Sequence, residues 1–83
     1  SLSLVLLEAW ALAVPTLVTD KCDVLVSQTK RSNCGLWWGT FDEFILATNY
    51  LIEHREIALQ GPKFIEKNYE WSVIEQKYLA LLS

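Results

Sequence analysis

The stretch that most limits what this chain can fold into is its opening, Ser1 to Pro15, which reads SLSLVLLEAWALAVP. Ser1 and Ser3 suit the amino end of a helix, where a side-chain oxygen can accept from amides that have no intrahelical partner. The apolar run behind them is broken by one charge, Glu8. A helix that is hydrophobic nearly all round belongs in a buried layer. Pro15 closes it, because the residue before a proline is pushed out of the α region. Thr16 to Thr19 then reads as a short buried strand. The opening therefore predicts a buried helix with free amides at its start and one acid two turns in.

Such an arrangement has a chemical use. Unpaired N–H groups and the helix dipole make this kind of helix start an anion site, above all for phosphate. Helical side chains lean toward the amino end, so Glu8 reaches back to where a phosphate would sit. A carboxylate there can accept from both hydroxyls of a ribose, as an acid does in dinucleotide-binding folds. The implied ligand is a nucleotide diphosphate. From periodicity alone, the favoured reading of Glu8 is an acid on a thin solvent-facing stripe, or the partner of a lysine.

The rest of the chain alternates between helix and strand. Asp20 is the expected N-cap of a short helix running to about Gln28, and Thr29 to Asn33 reads as a polar, solvated loop. Cys34 to Trp38 reads as a second strand. Of its paired tryptophans, one is expected in the core and the other over an edge. Thr40, with Glu43 as its capping-box partner, predicts a helix from Phe41 to about Glu53. Phe41, Phe44, Ile45, Thr48 and Ile52 share one face of that helix, which should lie on the sheet. His54, Arg55 and Glu56 end it, with His54 as a cation favoured by the helix dipole. A helical turn at Ile57 to Leu59 follows, then the Gly61-Pro62 punctuation, a helix from Lys63 to Asn68, and a bend at Tyr69 to Trp71. A last helix, about Ser72 to Leu82, carries Trp71, Ile74, Tyr78 and Leu81 on one stripe. Helix–strand alternation implies parallel strands with covered faces, hence an α/β fold.

Eighty-three residues make at most one small domain, yet 52% of them are hydrophobic, four being Trp, and none is Met. That balance predicts a piece of a larger core. A net charge of −3 argues against a nucleic-acid surface, where a basic patch is the expected footprint. Cys22 and Cys34 lack zinc-site spacing, and two reduced, half-buried thiols in a cytoplasmic setting are expected. No basic residue precedes the opening run, Glu8 interrupts it, and Pro15 cuts it short of the ~20 residues a membrane span needs.

Ser1 to Pro15, Cys34-Gly35-Leu36 and Asn68-Tyr69-Glu70-Trp71 together resemble the C-terminal part of the group 1 nucleotide-sugar glycosyltransferases. These are the retaining, GT-B-type enzymes with two Rossmann-like domains. Their donor domain carries two glutamates separated by seven residues, then a small-residue stretch and a proline before a strand. Glu8 matches the second glutamate, and the first would fall immediately before Ser1. The resemblance covers essentially the whole chain. It implies a partial Rossmann-like fold: two short parallel strands, flanking helices and a helical C-terminus, with residues 1–83 as the later portion of a donor-binding domain. It further implies that Glu8 holds the ribose. Backbone amides of Ser3, Leu4 and Val5 meet the diphosphate, and Leu2 and Ser3 lie near the donor sugar. In the family a glycine commonly stands where this chain has Ser3, and a Gly-Gly pair where it has Lys21-Cys22.

The implied partners are a nucleotide-diphosphate sugar as substrate and a missing N-terminal acceptor domain, with no cofactor and no metal in this part. The fragment by itself is expected not to turn over. The implied location is the cytoplasm, extending to the cytoplasmic face of a membrane. Two other functions share these features. Sugar-nucleotide epimerases and some phosphorylases use the same architecture, since fold does not fix reaction. A noncatalytic module could also self-associate through the exposed last helix as a homo-oligomer.

Overall fold

The computed structural model describes residues 3–69, 76 and 79–81. Its first helix, α1, spans Leu4–Ala11 and is capped by Ser3, whose side chain accepts from the Leu6 amide. The helix stops four residues before Pro15, earlier than the proline alone predicts. Ala13 adopts a left-handed conformation with φ 59°. The Val14 amide then reaches the Ala9 carbonyl at 2.8 Å, and the Ala13 amide reaches Trp10 at 3.0 Å. These two bonds form the Schellman closure of a helix end, made here with alanine where glycine is usual.

Strand β1, Thr16–Thr19, runs parallel to β2, Gly35–Trp38, with Thr16 opposite Gly35 and Thr19 opposite Trp38. Side chains alternate between faces along each strand, so this register assigns the layers. Thr16, Val18 and Trp37 share the face covered by α1 and by α2, Asp23–Ser32: Trp10 bonds Thr16, and Lys30 lies 5.2 Å over the Trp37 ring. Leu17, Leu36 and Trp38 share the other face, where α3, Phe41–Glu53, sets Phe44 edge-on against Trp38 at 5.3 Å. The result is a three-layer α/β arrangement around two parallel strands. Gly35 is required by the strand pairing itself, because an added Cβ would fall on the carbonyl oxygen of Thr16.

Helix α2 corrects two expectations. Its N-cap is Cys22, with no side-chain cap bond, and Asp20 lies in the preceding turn with its amide on the Trp38 carbonyl at 2.9 Å. The helix also continues to Ser32, with Asn33 left-handed as its C-cap, so Thr29 to Ser32 is helical and not loop. Polarity misled there because Gln28, Thr29 and Ser32 are buried. Ser32 donates to the Thr29 carbonyl and accepts from the Cys34 amide, each at 3.1 Å.

Helix α3 has the full capping box. Thr40 Oγ1 accepts from the Glu43 amide, and Glu43 Oε1 accepts from the amides of both Thr40 and Gly39. The helix lies on the sheet as expected, but its apolar stripe is largely uncovered: Phe41 is 73% exposed and Ile52 59%, while Leu51 is buried. Periodicity finds an apolar face, and only neighbouring elements decide whether it is covered.

After α3 a 3-10 turn, Arg55–Ala58, leads to α4, Gly61–Asn68, which starts two residues before its expected position with Pro62 in its first turn. Helix α4 closes on α1, where Trp10 meets Phe64 edge-on at 6.0 Å. The core is Leu6, Leu7, Trp10, Val18, Cys34, Ala58 and Ile65. Of the expected last helix, Gln76 and Leu79 to Leu81 are helical and exposed; Trp71, Ile74 and Tyr78 lie outside the described residues. Among the described residues, no helix is long and apolar enough to cross a membrane.

The α1–α4 contact yields a prediction whose sign is unusual. Gly→Ala in a helix ordinarily stabilises by about 1 kcal/mol. An added Cβ at Gly61 would fall on the carbonyl oxygen of Trp10, which is backbone and cannot swing aside. Gly61→Ala is therefore expected to lower the urea-unfolding free energy by roughly 1–3 kcal/mol. A neutral or stabilising result would mean that α1 and α4 are not this close.

Candidate functional site

The amino end of α1 is built by three kinds of backbone satisfaction. The Ser3 side chain takes the Leu6 amide at 3.4 Å. The side chain of Gln28, from the middle of α2, takes the rest of Ser3: its Oε1 accepts from the Ser3 amide and its Nε2 donates to the Ser3 carbonyl, both at 3.1 Å. Sequence reasoning missed Gln28, and no local signal could have found it, because its partner lies 25 positions away. The bracket corrects the expectation that the Ser3 amide faces a diphosphate, since that amide is engaged. Leu4 and Val5 are left as the amides at the helix start. Leu2 lies outside the described residues.

Glu8 is exposed, as are Val5 and Leu12, at helical spacing on one outward stripe of α1. Leu6, Leu7 and Trp10 occupy the opposite, buried side. The helix is thus pinned by its inner face and presents Glu8, one turn past its start, to solvent. Because β1 and β2 are parallel and each helix returns alongside them, the amino ends of α1, α2 and α3 gather at the carboxyl edge of the strands. In open α/β sheets that edge is where ligands bind.

Other candidates are engaged elsewhere. Lys30 sits over Trp37, which is 41% exposed, and Trp38 packs edge-on against Phe44 of α3 while only part-buried, so neither tryptophan lies in the core, where one is expected. His54 Nδ1 pairs with Glu56 Oε1 at 2.9 Å, and its ring stacks on Tyr50. The hydrogen bond from His54, reinforced by a backbone bond, holds the Glu56 carboxyl below the usual glutamate range. Cys22 and Cys34 are both free. Cys34 is fully and not half buried, and that burial raises its thiol pKa, so it remains a packing group. Among the described residues, no cluster of three or more His, Cys, Asp or Glu could hold a metal ion.

The bracket is testable. Gln28→Leu keeps the bulk of the side chain but strands the part-buried Ser3 amide, and leaves the Ser3 carbonyl only its 3.4 Å bond from the Leu7 amide. A loss of about 1–3 kcal/mol in unfolding free energy is expected, together with faster amide exchange at Ser3. Unchanged exchange at Ser3 would show that Gln28 does not hold it. No family model, curated protein or solved structure matches this chain.

Proposed function

We propose that this chain is the later half of the donor-binding domain of a retaining nucleotide-sugar glycosyltransferase. The observation that carries the reading is the amino end of α1. It is fixed from within by Gln28, has Leu4 and Val5 at its start, and carries Glu8 outward one turn on. The likeness of Cys34 to Leu36 and Asn68 to Trp71 to those enzymes supports it from other parts of the chain.

In this reading Glu8 accepts from the two ribose hydroxyls of the donor. The Leu4 and Val5 amides, with the dipole of α1 behind them, meet the diphosphate. Ser3 lies beside the donor sugar. As the bond between sugar and diphosphate breaks, negative charge grows on the departing diphosphate, and fixed amides aimed at it lower the barrier. The intact enzyme would transfer the sugar with its anomeric configuration kept. This chain supplies binding and orientation, and turnover needs the acceptor domain.

The experiment is calorimetric titration of the chain with UDP and ADP, and with uridine as a control. Binding of the diphosphates and not of the nucleoside is expected. Equal binding of uridine and UDP would remove the diphosphate role of α1.

A further inference from the structure

We draw no further inference here: the strongest candidate, the exposed apolar stripe of α3 formed by Phe41, Ile45 and Ile52, has nothing among the described residues to show what covers it.

Discussion

Trp10→Ala is expected to lower the unfolding free energy by about 3–5 kcal/mol, the range for emptying a large buried aromatic site. Trp10 is fully buried and joins three parts of the fold. Its ring meets Phe64 of α4, its indole N–H donates to Thr16 Oγ1 of β1 at 3.0 Å, and its carbonyl lies against Gly61. The truncation opens a cavity where α1, α4 and the sheet converge. A domain of this length has a total stability of roughly 4–12 kcal/mol, so the variant loses at least about a quarter of it. Trp10→Phe separates packing from hydrogen bonding: it keeps most of the ring and leaves the Thr16 hydroxyl without its donor, at a cost of about 1–2 kcal/mol. Urea titrations followed by far-ultraviolet circular dichroism measure both. A loss below about 1 kcal/mol for Trp10→Ala would mean that the three parts do not converge on this residue.

Glu8→Ala is expected to abolish measurable nucleoside-diphosphate binding while leaving the fold intact. The side chain is exposed on the outward stripe of α1, and alanine is the best helix former, so the substitution should cost little stability. Two hydrogen bonds from ribose hydroxyls to a carboxylate are worth about 1.5 kcal/mol each at the lower end. Their loss weakens binding by roughly 100-fold. For a half-site whose affinity is of the order of millimolar, that removes binding from the accessible range. Glu8→Gln keeps an acceptor but loses the charge and should fall between the two. Deoxygenated nucleotides give the same information from the ligand side: 2′,3′-dideoxy-UDP should bind the native chain no better than UDP binds Glu8→Ala.

How much of this was legible in the sequence depends on how local each cause is. The cap of α3 was readable because Thr40 and Glu43 satisfy each other within four residues. Strand β1 was readable because Pro15 and Asp20 bound a short apolar run. The end of α1 was misplaced because Ala13 turns left-handed, a conformation that alanine does not advertise. The length of α2 was misjudged because Gln28, Thr29 and Ser32 are polar yet buried. Of those, Gln28 and Ser32 have their bonds met by Ser3, Thr29 and Cys34. The exposed stripe of α3 shows the same limit from the other side, since apolar spacing cannot say what covers it.

At the candidate site, Ser3 as a cap and Glu8 as an outward acid could be read from spacing, whereas the loss of the Ser3 amide to Gln28 could not. That bond narrows the amides available to an anion from three to two, Leu4 and Val5. It also explains how a short helix at the beginning of the described chain keeps its first turn fixed.

The most direct test of the nucleotide-sugar reading is a UDP titration of the ¹⁵N-labelled chain followed amide by amide. The largest shifts are expected on Leu4, Val5 and Glu8, with little movement at Ser3 because Gln28 holds it, and Glu8→Ala is expected to abolish the response. Shifts centred elsewhere, or an undiminished response in Glu8→Ala, would contradict that reading.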